Sequence, residues 1–133
     1  MGYVQDEGYF KDPNAGGLYG WHNGIDIDTP NNKPTKARAL IAGTEVSRAA
    51  IFVTVQGDDG RFCVYGHLSS ATKIQGSRVE AGEIIGEVGF SAMSNHLHFQ
   101  IKKTRYAPAG CNNKNQSHVH GWTLNPLKVF WQL

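Results

Sequence analysis

From residue 40 to residue 102 the apolar residues come in short runs, 40–46, 50–56, 61–67, 83–88 and 97–102, separated by turns that contain glycine. Runs this short suit strands, half-buried where apolar and polar residues alternate and buried on both faces where they do not. No segment shows a helical period. Asp59-Gly60, between two of the runs, predicts a hairpin, because a tight turn that matches the twist of its strands needs positive φ at its centre. Residues 29–38, with Pro30, Asn31, Asn32, Lys33 and Pro34, read as a loop, and 1–21, rich in Gly, Tyr and Asp, as an irregular approach. Between them a short extended stretch is expected around Ile25 and Ile27. The Asn-rich stretch 111–117 reads as an exposed loop ahead of an apolar tail, 127–133, that packs back onto the sheet.

No fixed-interval repeat, low-complexity tract or interdomain linker interrupts the 133 residues, so one domain over 1–133 is expected, with its core at about 20–104. A chain of this size buries roughly two thirds of its unfolded surface, enough for a core without staples. The expected class is mainly β: a single-domain antiparallel sheet, sandwich-like or barrel-like, with long loops around a groove.

Composition removes several functions. A net charge of +2, without a basic stripe or an aromatic array, speaks against nucleic acid and is only weakly suited to an anionic polymer. The longest apolar run, 49–55, is too short to span a bilayer, so no membrane partner is expected. No charged start leads into an apolar stretch, so no signal peptide is expected in the chain as given, and Met1-Gly2 departs from an acylation signal at Asp6. A monomer is expected. The two cysteines, Cys63 and Cys111, match neither a zinc ribbon nor a redox pair. They leave a disulfide open, although Cys63 lies in an apolar strand pattern and reads as a small buried residue.

Six histidines fall into three clusters and one single residue: His22 with Asp26, His96 with His98, His118 with His120, and His67 alone at a strand end. In 97–102 alternation turns Leu97, Phe99 and Ile101 to one face and His96, His98 and Gln100 to the other. His22 and Asp26 on a straight strand would stand about 13 Å apart, too far for one metal, so the chain must bend at Gly24. His22, Asp26 and one histidine of the His-Leu-His pair then make two nitrogens and one carboxylate oxygen, a set that suits one Zn2+ and leaves a position open. Zinc in an open site acidifies water to a pKa of about 7 and so supplies a nucleophile for an amide carbonyl. His67 and the other histidine of the pair are left for proton transfer or oxyanion stabilisation. His118 and His120 follow a polar loop and read as exposed.

In this order the motifs resemble those of the lysostaphin-type (LytM-like) zinc endopeptidases of peptidoglycan. His22-Asn23-Gly24-Ile25-Asp26 is similar to the family's His-x-Gly-x-Asp, Tyr65-Gly66-His67-Leu68 to its Tyr-x-His-Leu, and His96-Leu97-His98-Phe99 to its His-Leu-His-Phe. Val79, Gly82, Ile85, Gly86 and Gly89 resemble a further turn-and-strand signature. The resemblance implies that His22, Asp26 and His98 bind the zinc and that His67 and His96 are the catalytic pair. It implies hydrolysis of peptide cross-links or bridges in bacterial peptidoglycan, at the cell wall or as a phage lysin carried on a virion. The alternative is a non-catalytic homologue that binds cell wall or activates an amidase. Asn95 stands where the family often has Pro, Gln100 where it has Glu, Gly66 where it has Ala, and Ser91-Ala92-Met93-Ser94 replaces a glycine-rich approach. These departures spare all five polar positions and bear on the loops of the groove, and so on the choice of substrate.

Overall fold

The structure is a computed structural model, and it describes residues 4–5, 11–12, 20–22, 24–49, 51–91, 94–105, 112–113 and 123–131. The first strands are β1 (Val4–Gln5), β2 (Lys11–Asp12), β3 (Gly20–His22) and β4 (Ile25–Asp28). After β5 (Lys36–Arg38) come β6 (Gly43–Ala49), β7 (Phe52–Gly57) and β8 (Phe62–Gly66), each overlapping a predicted run. They are followed by β9 (Leu68–Ala71), β10 (Arg78–Val79), β11 (Ile84–Val88), β12 (Phe90–Ser91) and β13 (Ser94–Lys102), and by the short β14 (Asn112–Asn113) and β15 (Thr123–Leu124).

The main sheet runs β1-β4-β13-β8-β7-β6-β10, with β12 and β15 also paired to β13. A second sheet is β5-β11-β9, and a third is β14-β3-β2. Every pairing among the described residues is antiparallel. The expected mainly β class is therefore the one observed, with the main sheet open rather than closed into a barrel. Among the described residues no helix is long and apolar enough to cross a membrane.

The core contains Ile25 and Ile27 of β4, Val53 and Val55 of β7, Cys63 and Tyr65 of β8, Leu97, Phe99 and Ile101 of β13, and Ala37, Ile85 and Val88 of the second sheet. Phe99 lies 5.3 Å from the Tyr65 ring and 5.8 Å from the Phe130 ring, centre to centre. Tilted aromatic pairs of this kind add about 0.5–1.5 kcal/mol each beyond area burial. The Tyr65 hydroxyl keeps a polar partner in this setting by accepting the Leu40 amide at 3.0 Å.

Several segments differ from the sequence expectation. Residues 29–38 are not loop throughout: Pro30–Asn32 forms a 3-10 turn and Lys36–Arg38 is β5. There Ala37 alone is buried between exposed neighbours, an alternation too short to stand out in the sequence. The apolar tail does pack back, but Leu127–Trp131 is a π-helical turn that buries Leu127. The hairpin at Asp59-Gly60 joins β7 to β8, yet of its residues only Gly60 has positive φ, at 89°. Gly60 N–H donates to Gly57 O at 2.9 Å and Gly57 N–H to Arg61 O at 2.7 Å. This is a three-residue loop with a left-handed glycine, the next commonest hairpin after the two-residue form.

Cys63 is a free thiol, fully buried in this core. Burial pushes its pKa up to about 12, with the nearby Asp59 carboxylate acting in the same direction. Since the thiolate is the reactive form, iodoacetamide at pH 8 should leave Cys63 unlabelled in the folded protein and label it within minutes in denaturant. Peptide mapping by mass reads the two states, and fast labelling of the folded chain would contradict the buried assignment.

Candidate metal and catalytic site

Strand register builds the polar cluster. On β13, Asp26 of β4 is the direct partner of His98, and Asp28 is the partner of His96. On the other side of β13, Gly66 of β8 is opposite His98. Because side chains alternate, Ser94, His96, His98 and Gln100 share one face of β13, the face expected to carry the imidazoles. The reverse face is the apolar one, with Leu97, Phe99 and Ile101 in the core. The polar face is also buried: His98 and Gln100 are fully covered and His96 is 6% exposed.

The nitrogens converge on one carboxylate. His98 Nδ1 lies 3.4 Å from Asp26 Oδ1, and His96 Nε2 lies 3.8 Å from the same oxygen. Two ligand atoms at about 2.0–2.1 Å from one tetrahedral ion are roughly 3.3–3.4 Å apart. The His98–Asp26 spacing is thus that of two atoms able to share a zinc ion, and the donor types fit the metal. The far nitrogen of His96, Nδ1, is 3.0 Å from Ser94 Oγ, which fixes the ring orientation.

Of the sequence-derived ligands, His22 ends β3 and pairs with Asn112 in the third sheet, while β4 begins at Ile25 in the main sheet. Between His22 and Asp26 the chain thus passes from the third sheet to the main one. Gly24 serves this by proximity rather than by positive φ, because a Cβ there would lie 2.1 Å from the Phe99 carbonyl oxygen. The side chain of His22 lies outside the described residues, as do Asn23, Cys111, His118 and His120. Among the described residues no group of three or more His, Cys, Asp or Glu side chains is placed to hold a metal ion.

His67 closes the cluster. Its ring centre is 4.7 Å from that of His96, edge to face, and 5.9 Å from that of His98. It sits between β8 and β9, where the chain leaves the main sheet for the second, and it turns that corner with φ at 65°. A left-handed backbone costs a residue with a Cβ roughly 1–2 kcal/mol, so its occurrence at a polar cluster is a pointer to function. The corner is tied down: Gly89 N–H donates to His67 O at 2.8 Å, and Leu68 N–H donates to Ile51 O at 3.1 Å.

Phe52 was not foreseen by sequence reasoning. Its ring is 6.3 Å from His67, a neighbourhood set by the β7–β8 register and carried by no local motif. Ser94 had a signal that was available, its two-residue step from His96 on the same face. Gly66 explains itself through Phe52, since a Cβ at Gly66 would lie 2.6 Å from Phe52 Cε1. Gly66→Ala should therefore destabilise by about 1–3 kcal/mol through overpacking. Adding Phe52→Leu should recover most of the loss, giving a coupling of about 1 kcal/mol or more in a denaturation double-mutant cycle. Additive losses would show that Phe52 is not what excludes the methyl group.

Fold and site together define a lysostaphin-like β protein. The chain belongs to peptidase family M23, whose family model matches residues 20–120. It is 32% identical over 94 residues to Stage II sporulation protein Q of Bacillus subtilis (strain 168), a match that covers 64% of this chain and 33% of that protein. The chain thus spans about a third of that curated relative's length. The catalytic domain of the antimicrobial peptidase lysostaphin from Staphylococcus simulans superposes with a TM-score of 0.69 at 23% identity, over 96% of this chain and 90% of that one. A chain in the crystal structure of the SpoIIIAH and SpoIIQ complex gives a TM-score of 0.60 at 27% identity, over 83% of this chain and 72% of that one.

Proposed function

We propose that this chain is a zinc endopeptidase domain that hydrolyses peptide bonds in the cross-links or bridges of bacterial peptidoglycan, working at the wall or on a phage particle. The observation that carries the reading is the convergence of His98 and His96 on Asp26 Oδ1, at 3.4 and 3.8 Å, beside the left-handed His67. In this reading His22, Asp26 and His98 hold one Zn2+. Bound there, zinc supplies a Lewis acid that polarises the scissile carbonyl and makes water acidic near neutral pH. The shorter His98 distance, close to the ligand spacing of one tetrahedral ion, supports His98 rather than His96 as the ligand.

His67 and His96 are then the proton-handling pair. With ring centres 4.7 Å apart they reach the two ends of one reacting amide. One takes the proton of the attacking water, and the other donates to the carbonyl oxygen as charge develops on it, each worth about 10²–10⁴-fold in rate. Ser94 Oγ holds the His96 ring with Nε2 toward the carboxylate. Phe52 and the buried faces around the cluster keep bulk water from one side of it.

A second reading, a module that assembles with a protein partner, is favoured by the likeness to a chain of the SpoIIIAH–SpoIIQ complex. Purified peptidoglycan incubated with the protein separates the two. Release of soluble muropeptides that stops with a chelator and returns with added zinc supports the peptidase, and their masses identify the bond cut. Zinc binding without release from several wall types overturns it in favour of the partner-binding module.

A further inference from the structure

The residue just before His96 is gripped by the turn that directly follows β4. Asn95 N–H donates to Asn32 Oδ1 at 2.6 Å, and Asn95 Nδ2 donates to the Asn32 carbonyl at 2.7 Å. The Asn95 carbonyl in turn accepts the Thr29 amide at 3.2 Å and the Thr29 hydroxyl at 3.0 Å. Asn95 is buried, whereas Asn32 lies in an exposed turn. That turn is unusual in carrying two consecutive non-glycine residues in the left-handed region, Asn31 at φ 53° and Asn32 at φ 54°. Asparagine tolerates this conformation better than most residues, but a pair of them persists only where surrounding bonds over-determine it. Here the bonds run to Asn95, which supplies both a backbone N–H and a side-chain amide. Proline could supply neither the N–H nor the side-chain amide.

We propose that Asn32 is a positioning residue for His96, acting through Asn95: the amide clamp fixes the backbone from which the His96 ring projects toward Asp26. The proposal rests on the catalytic reading of His96. The clamp and the Ser94 hydroxyl then act on His96 separately, one on its backbone and one on its ring. Asp26 and His98 meet through direct strand pairing, so the clamp leaves their spacing alone.

Asn32→Gly tests this, because glycine keeps the left-handed backbone and removes only the amide. Asn32→Asp is the conservative partner, retaining Oδ1 as the acceptor for Asn95 N–H. Asn32→Gly should lower kcat by about tenfold or more, with KM and zinc affinity changed by less than about threefold, as expected when a reacting group is displaced while the others stay. Asn32→Asp should recover most of kcat. Independently of turnover, the 15N signals of the His96 ring should shift, and the Asn95 amide should exchange about tenfold faster, in Asn32→Gly but not in Asn32→Asp. An unchanged His96 ring and unchanged Asn95 exchange in Asn32→Gly would overturn the proposal. So would a loss of kcat matched by an equal loss of zinc affinity. If the unmodified protein releases no muropeptides, the peptidase reading fails, and the ring and exchange measurements alone decide the clamp.

Discussion

His67→Ala should retain zinc at full stoichiometry and lose about 10²–10⁴-fold in muropeptide release. The residue is outside the carboxylate–imidazole pair of Asp26 and His98, whose spacing is set by β4–β13 register, so its removal leaves the proposed ligands in place. What it takes away is the imidazole 4.7 Å from His96. Because the backbone at His67 is left-handed, alanine also adds strain that has nothing to do with chemistry. His67→Asn controls for this, since asparagine accepts positive φ and cannot shuttle the proton. Elemental analysis for zinc, melting temperature and turnover should give two folded, metal-loaded, inactive variants. Full activity in His67→Asn would remove His67 from the mechanism.

The second large effect is structural. Gly24→Ala puts a methyl carbon 2.1 Å from the Phe99 carbonyl oxygen and 2.9 Å from its carbon, both backbone atoms of the central strand. Neither can swing aside as a side chain would. The cost should be about 3 kcal/mol or more, seen as a fall of roughly 10 °C in Tm. Gly43→Ala is the matched comparison, with the same 2.1 Å approach to a backbone oxygen, that of Gln56, away from the polar cluster. Both variants should lose stability, but only Gly24→Ala should also lose zinc affinity per folded molecule, because it pushes β13 away from the segment that joins His22 to Asp26. Equal zinc affinity in the two would separate the Gly24 contact from the site.

What could be read from the sequence was what is local or periodic. The β runs, the polar face of His96 and His98, and the need for a bend between His22 and Asp26 all follow from alternation and reach. The three motifs in order supplied the family. The cross-strand facts were out of reach: that Asp26 meets His98 and Asp28 meets His96 depends on the β4–β13 register, and that Phe52 borders His67 depends on the β7–β8 register. Short strands such as β5 and β9 were missed because three or four residues carry no usable period, and their pairing is decided by the sheet they join. Gly24 was read as the point where the chain bends, whereas what its surroundings require is the absence of a side chain.

The two sheet corners at His67 and Gly89 have a consequence for how this protein can vary. The chain leaves the centre of the main sheet at one, touches that sheet's edge through β10, and comes back to its centre at the other, and Gly89 N–H bonded to His67 O closes the circuit at its neck. Val88 paired with Leu68 seals it a second time. The stretch from β9 to β11 thus has a fixed doorway, and it is pinned again to β6, where Gly76 N–H donates to Glu45 O at 2.7 Å and Glu45 N–H donates to Ser77 O at 3.0 Å; between these ties Ile74 is 74% exposed and open to change. A library that diversifies Ile74 and Gln75 would sample new surfaces at the edge of this domain while the imidazole cluster stays in its frame.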